Sequence, residues 1–380
     1  MTQGALDGLK VLDFSTLLPG PMASLFLAEA GADVIKIERP DRGDEMRIYE
    51  PKWGRDSVNF AMLNRGKKSI ALDLKDADER NRLKPLLQEA DVIVEQFRPG
   101  VMDRLGLGYS DLRAINDDII YCSITGYGQF GPKADRAGHD MNYIGDAGLL
   151  ALSSGPDNAP VLPPALIADI AGGTYPAVFN ILLALLARNE GKGGAHLDDS
   201  MADNLFPFMY WAMGDGQAAQ QWPGNGDALV TGGSPRYRIY QTSDDKLLAA
   251  APIEPKFWAA FTDAIGLPSS LRHDAVDPAA TIHAVAARIR SKTSEHWGKV
   301  FAKADCCCTI VQSVEQAMQD PHFQARGLFD HRLLNETGDA LIALPVPVTP
   351  GLRKHSPIAK SPSLGADSDA LLTPSASKGS

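Results

Sequence analysis

The sequence is short of cysteine, of positive charge and of any long uninterrupted apolar run. Four cysteines occur in 380 residues: Cys122 and the contiguous Cys306, Cys307 and Cys308. Neighbouring cysteines are poorly placed to pair with one another, and no C-x-x-C pair exists to hold zinc, so neither a disulfide framework nor a zinc module is expected. Buried thiols in a reducing cytoplasm are the simplest reading. Lysine and arginine number 37 against 47 acidic residues, giving a net charge of −10. That balance argues against general nucleic-acid binding, though not against a local basic pocket for an anionic ligand. The N-terminus, MTQGALDGLKVLDFS, lacks a basic start followed by a long apolar core, so no signal peptide is expected. The most apolar stretch, YPAVFNILLALLARN, falls short of a membrane span and carries Asn180, which predicts a buried helix and no membrane partner.

What is there is a globular composition, 44% hydrophobic and 22% charged, on a chain longer than one ordinary core, so two domains are expected. The first part alternates strands with helices. LKVLDF reads as a strand, and PMASLFLAEAG as a helix with Pro21 at its start and Gly31 at its end. ADVIKIE, KSIALDL, DVIVEQF and IIYCSIT read as further strands, with a helical DADERNRLKPLLQEA between the second and third of these. Such alternation predicts a parallel sheet with helical crossovers, an α/β Rossmann-like arrangement whose ligands bind beyond the carboxyl ends of the strands. Two more long buried helices are expected in TYPAVFNILLALLARN and SMADNLFPFMYWAMG. The Gly/Pro/Asn-rich QQWPGNGDALVTGGSPRY marks a linker. The predicted organisation is a large domain over 1–215, a linker over 216–234, a smaller α+β domain over 235–325, and a segment over 326–380 that returns to the large domain. In the smaller domain, Ser313 and Gln316 have capping-box spacing. The small polar tail, LLTPSASKGS, is expected to fray.

GYGQFG, from Gly126 to Gly131, spells the G-x-G-x-x-G of a dinucleotide loop. A functional loop of that kind must open directly into a helix that receives the pyrophosphate. Here the following residues, Pro132 to Arg136, are polar and lack a 3.6-residue apolar repeat. A glycine-rich surface turn is the preferred reading.

The motifs GLKVLDFSTLLPGPMASLFLAEAGADVIKIERP, NRGKKSIALDLK, EQFRPGVMDRLGLGY and SITGYGQFGP, with DPHFQARGLF and SLGAD further on, resemble the family III CoA-transferases over nearly the whole chain. The resemblance implies a large Rossmann-like domain plus a small one. It also implies an interlocked homodimer, with the active site between the large domain of one chain and the small domain of the other. It implies one of two chemistries: transfer of CoA between carboxylic acids through an aspartate nucleophile, or the inversion of a carbon beside a thioester carried out by the alpha-methylacyl-CoA racemase branch. AGHDMNY is similar to the racemase motif whose histidine, here His139, is a catalytic base; transferases commonly carry a tyrosine or another residue there. Asp169 in LIADIAGG matches the catalytic aspartate of both branches, and Glu254 in PIEPKF matches the racemase glutamate that pairs with the histidine. They follow His139 by 30 and 115 residues, as the racemase pattern does. One position departs: racemases of this type have asparagine four residues before the aspartate, and here Ala165 stands, so the amide that would orient Asp169 is absent.

The chemistry fits these residue types. A proton beside a thioester is a weak acid, and its removal needs a positioned base and stabilisation of the enolate oxygen. Inversion needs a second acid on the opposite face. Histidine suits one role because its ordinary range lies near neutrality. A carboxylate suits the other if burial raises it. Glu254 would orient the imidazole, and main-chain N–H groups at the helix start after Asp169 would suit an oxyanion. Taken alone, Asp169 reads as a helix N-cap and Glu254 as an acid at a helix start. His196, His273, His283, His296, His322, His331 and His355 read as structural or surface residues. For CoA, Arg39, Lys75, Arg98 and Arg104 are the candidate phosphate contacts, and Leu72, Leu74 and Phe97 would flank the adenine, although basic residues are mostly exposed in any case. Leu17, Leu18, Gln96, Ala137, Gly138, Asp140, Asn142 and Tyr143 complete the expected substrate-binding set. No metal and no cofactor beyond the CoA of the substrate is expected. The leading reading is a racemase of 2-methylacyl-CoA esters. A CoA-transferase working through Asp169 is the second, and a non-catalytic acyl-CoA-binding protein the third.

Overall fold

A computed structural model describes residues 4–155, 157, 159–354 and 358–372. His355 and residues 373–380, which hold most of the tail expected to fray, lie outside the described residues. The chain divides into two compact units. The larger comprises residues 1–147, 165–207 and 322–380, and the smaller residues 148–164 and 208–321.

The larger unit is built on six strands: β1 (Lys10–Asp13), β2 (Asp33–Glu38), β3 (Lys68–Ala71), β4 (Val92–Glu95), β5 (Ile120–Thr125) and β6 (Ala195–Ser200). All five neighbouring pairs are parallel. Across the sheet they run 3-2-1-4-5-6, the order of doubly wound nucleotide-binding sheets, with its switch point between β1 and β4. Val11, Leu12, Val34, Ile35, Val92, Ile93 and Val94 on the inner strands are buried, as expected of a parallel sheet covered on both faces. Leu12, Ile35, Ile70 and Ile93 are fully buried and share one core with Leu83, Leu86 and Tyr121. The first crossover helix, α1 (Pro19–Glu29), begins at Pro19 rather than Pro21, since proline's fixed φ and missing N–H suit the first helical position. The segment expected as one helix between β3 and β4 is two, Ala77–Arg82 and Lys84–Glu89; Pro85 has no N–H to continue the first.

Strand β6 was not foreseen. Its sequence, AHLDDS, is mostly polar, and it lies at the sheet edge beside β5, where one side needs no apolar neighbour.

The apolar segment at 175 departs from expectation more sharply. A π-helical stretch, Ala168–Thr174, runs straight into helix α3 (Tyr175–Asn189) after the short α2 (Asp140–Asp146). The continuous 22 residues are long and apolar enough for a membrane span by length and composition. The helix is not buried throughout. Tyr175, Phe179, Leu182, Leu183 and Leu186 are 39–63% exposed, and their spacing places them in one row along the helix. The second expected long helix is split into a 3-10 segment, Asp203–Met209, with Pro207 inside it, and a helix, Tyr210–Ala219; Phe206, Phe208 and Tyr210 are exposed.

The smaller unit carries a three-stranded antiparallel sheet, with Leu247–Ala250 between Arg238–Gln241 and Cys308–Ile310. Helices Pro255–Ala264, Pro278–Arg290 and Ser294–Phe301 bury Trp258, Phe261, Ile289, Trp297 and Phe301 in its core. The capping box forms as expected: Ser313 Oγ accepts from the N–H of Gln316 at 3.1 Å, and Gln316 Oε1 from that of Ser313 at 3.0 Å. All four cysteines are free; Cys122 and Cys306 are buried, but Cys307 is exposed.

Candidate active site

A cavity of about 510 Å³ opens in the larger unit at the carboxyl ends of β1, β4 and β5. Its wall includes Thr16 to Pro19 after β1, Gln96 to Pro99 after β4, and Thr125 and Gly126 at the end of β5, so it sits at the switch point of the sheet. The other wall is Ala134, Arg136 to His139, Asn142, Tyr143, Asp169 and Met201. Eleven of the expected residues meet here: Leu17, Leu18, Gln96, Phe97, Arg98, Ala137, Gly138, His139, Asn142, Tyr143 and Asp169.

The AGHDMNY segment holds itself in place. His139 is the residue before helix α2, and its N–H donates to Asn142 Oδ1 at 3.0 Å. The Tyr143 hydroxyl donates to the carbonyl of Gly138 at 2.6 Å. Its ring occupies space left by two glycines: a Cβ on Gly126 would meet the ring at 2.4 Å, and one on Gly138 at 2.7 Å. The first glycine of GYGQFG therefore makes room for a tyrosine. As expected, no helix follows Gly131; the next one begins at Asp140, and the motif is a turn.

Asp169 lies in the first turn of the π-helical stretch, a distortion that recurs at functional sites. Gly172 and Gly173 let this stretch approach its neighbours: a Cβ on Gly172 would lie 2.3 Å from the carbonyl of Met201, and one on Gly173 3.1 Å from Pro19. Thr174 Oγ1 donates to the Pro19 carbonyl at 2.9 Å, which ties the helix bearing Asp169 to the start of α1. Burial, with the nearby Asp140 carboxylate as a second cause, pushes the Asp169 carboxyl up to about 7. Burial and then Asp169 likewise push Tyr143 up to about 12.

Asp140 is buried and accepts the N–H of Asp169 on Oδ1 at 3.1 Å. The N–H of Ile170 donates to the carbonyl of Leu166. Both donors are therefore committed, and the expected oxyanion site at this helix start is corrected for these two groups. Asp169 is also no N-cap, since it lies inside the helical stretch.

Seven expected residues do not line the cavity. Asp140 acts from behind it, as above. Leu72 is 1% exposed within the main core, and Leu74 packs against the same core, as Phe97 does while also facing the cavity. Arg39 is exposed, with Nε 3.6 Å from Asp41, and Lys75 and Arg104 are exposed. Glu254 belongs to the smaller unit, where it immediately precedes helix Pro255–Ala264 with no side-chain capping bond. Thr16, Arg136 and Met201 also line the cavity without having been among the named contacts; Thr16 lies inside the first quoted motif and Arg136 just before AGHDMNY, whereas Met201 follows the unforeseen β6. Among the described residues no group of three or more His, Cys, Asp or Glu side chains could hold a metal ion.

Comparison with known proteins identifies the scaffold. The family description CoA-transferase family III matches residues 6–368. An acetyl-CoA:oxalate CoA-transferase of Acetobacter aceti is 33% identical over 340 residues, 86% of this chain and 85% of that protein. The alpha-methylacyl-CoA racemase of Mus musculus is 32% identical over 330 residues, 85% and 82% of the two chains. A CaiB/BaiF family protein of Brucella suis has a crystal structure that superposes with a TM-score of 0.82 at 28% identity, covering 97% of this chain and 99% of that one.

Proposed function

The chain belongs to CoA-transferase family III, and from that premise we propose that it inverts the α-carbon of 2-methylacyl-CoA thioesters by proton transfer between two bases. One base, His139 or Asp169, takes the α-proton, and the electron pair of the broken C–H bond passes onto the thioester oxygen as an enolate. The conjugate acid of the other base returns a proton to the opposite face. The observation that carries this reading is that His139 and Asp169 line one cavity, where burial, with Asp140 second, pushes the Asp169 carboxyl up to about 7. An acid–base catalyst works best when its pKa lies near the working pH, whereas a carboxylate nucleophile gains nothing from being half protonated there. Gln96, Phe97, Arg98, Leu17 and Leu18 would receive the thioester and the CoA chain, with Arg39, Lys75 and Arg104 as outer phosphate contacts. No cofactor beyond the substrate's own CoA takes part.

The enzyme acts as a homodimer in the cytoplasm on this reading. The exposed apolar row on α3 supports a second copy of the chain as its cover, because a soluble monomer rarely leaves such a contiguous patch in water. In an interlocked pair, Glu254 of one chain would orient His139 of the other.

A specific observation favours transfer of CoA as the second reading: the relatives include an acetyl-CoA:oxalate CoA-transferase at an identity equal to that of the racemase within a percentage point. Asp169 would then attack the acyl-CoA, release CoA thiolate and form an anhydride. The thiolate would next attack the aspartyl carbonyl, releasing the acyl carboxylate and leaving an aspartyl-CoA thioester.

Proton exchange tests the leading reading. A chiral 2-methylacyl-CoA incubated in deuterated water, without acceptor acid, should gain deuterium at the α-carbon and lose optical purity. His139→Ala should slow both about 100-fold or more. No exchange by the wild-type enzyme across several acyl lengths would overturn it.

A further inference from the structure

The turn after β1 is held by residues that never reach the cavity it lines. Leu17 has φ +62°, a left-handed conformation that residues with a side chain rarely adopt. Such a residue persists only where its surroundings over-determine it. Chief among these surroundings is one buried ion pair. Lys36, on β2, and Asp44, in the following loop, have fully buried side chains, with Lys36 Nζ 2.9 Å from Asp44 Oδ2. Lys36 Nζ donates to the carbonyl of Ser15 at 2.7 Å. Asp44 Oδ1 accepts the N–H of Leu17 at 3.1 Å. The pair therefore grips the turn on both sides of Thr16, at an acceptor and at a donor.

The same carboxylate reaches further. Asp44 Oδ1 also accepts the N–H of Met46 at 2.9 Å, and Leu17 and Leu18 pack against the buried cluster of Met46, Phe60 and Leu63. Asp44 is itself fixed, since its N–H donates to Glu38 Oε2 at 3.0 Å. Beneath the turn, Asp13 accepts from Ser24 at 2.5 Å and from Lys67 at 3.2 Å. Around this turn the buried charges of Asp13 and Asp44 stand against those of Lys36 and Lys67, and pairing of this kind offsets the cost of burying each. Thr16, Leu17 and Leu18 line the cavity; Lys36 and Asp44 do not.

We propose that the Lys36–Asp44 ion pair is a positioning element that sets the conformation of the Thr16–Leu18 turn and thereby the affinity of the cavity for acyl-CoA. The affinity half of this statement rests on the function proposed above; the conformational half does not. Asp44→Ala removes the acceptor of the Leu17 N–H and the carboxylate paired with Lys36. Asp44→Asn keeps an acceptor oxygen and removes the charge, so it serves as the milder variant if the first folds poorly.

Two measurements on the full-length protein decide the matter. Amide hydrogen exchange, resolved to single residues, should show the Leu17 N–H protected in wild type. Protection should fall at least tenfold in Asp44→Ala and by less in Asp44→Asn, while β1 and α1 keep theirs. Calorimetric titration with 2-methylbutanoyl-CoA should show at least tenfold weaker binding for Asp44→Ala, with an increase in KM exceeding the loss in kcat. Unchanged Leu17 protection in Asp44→Ala would overturn the positioning role. Lost protection with unchanged affinity would overturn the link to the ligand. Failure of the wild type to bind any acyl-CoA would instead sink the proposed function, and the exchange result would still judge the turn.

Discussion

Asp140 accepts the main-chain N–H of Asp169 at 3.1 Å, so the residue after the candidate catalytic histidine fixes the candidate catalytic aspartate. One carboxylate thereby sets both the place and the charge environment of another. Like charges held close disfavour the ionised form of either, and here the ionisation of Asp169 bears that cost.

Asp140→Asn separates the two effects. Asparagine retains a carbonyl oxygen for the Asp169 N–H and removes the charge. Burial is the first cause of the raised Asp169 carboxyl and Asp140 the second, so the variant should lower it only in part. If deprotonated Asp169 is required in the free enzyme, the acidic limb of kcat/KM should move down from about 7 by about one pH unit or less. Asp140→Ala also removes the acceptor and should lower kcat well beyond any shift. A limb that stays in place in Asp140→Asn would remove Asp140 from this role.

The regular half of this fold is legible in the sequence because its strands are short, apolar and separated by helices. Buried parallel strands such as VIVE and IYCSIT read directly, whereas the edge strand AHLDDS carries no apolar signal. The helix at 175 misled in the opposite way. Its apolar residues encircle it, and hydrophobicity alone does not distinguish a face buried in the fold from one awaiting a partner. At the site, His139 and Tyr143 were legible in AGHDMNY and Asp169 in LIADIAGG, through the family resemblance. The place of Asp140 behind the cavity was not, because it depends on a contact between residues 29 apart in sequence. Leu72 was expected at an adenine and lies in the core, since the residue just after a buried strand still faces inward.

Stability should carry the opposite signature to catalysis. The Asp169 carboxyl is raised from 3.8 to about 7 in the folded protein, so the folded chain binds this proton more tightly than the unfolded chain. Its contribution is fully present below about pH 4 and is lost as pH climbs to about 7. Asp169→Asn escapes that loss. The variant should melt like wild type near pH 4 and several degrees higher at pH 8, where ionising the buried carboxyl costs up to about 4 kcal/mol. It should also be inactive. Differential scanning calorimetry at the two pH values checks this; an equal offset at both would mean that ionisation of Asp169 is not the cause.

The apolar row on α3 predicts assembly. Sedimentation of the wild type should give a particle of about twice the 40.7 kDa chain, as expected for a closed two-fold pair. Leu183→Glu with Leu186→Glu should release single chains. If the partner's glutamate serves the histidine, refolding a mixture of inactive His139→Ala and Glu254→Ala chains should restore about one competent site per mixed pair. A fully active single chain would defeat both expectations.

The choice between proton transfer and CoA transfer turns on covalency at Asp169. Both reactions require its carboxylate, so loss of activity in Asp169→Ala distinguishes nothing. A transferase must place CoA on that carboxylate, and the resulting aspartyl thioester is open to attack by hydroxylamine. A racemase only moves a proton, and Asp169 leaves each turnover unmodified. His139 has no assigned step in the anhydride route, and a carboxyl raised to about 7 suits proton exchange better than nucleophilic attack. The expected result, when enzyme is incubated with acyl-CoA and a candidate acceptor acid and then quenched with hydroxylamine, is therefore an unmodified Asp169 peptide by mass spectrometry. A hydroxamate on that peptide, together with CoA appearing on the acceptor, would move the protein from the racemase to the transferase chemistry of its family.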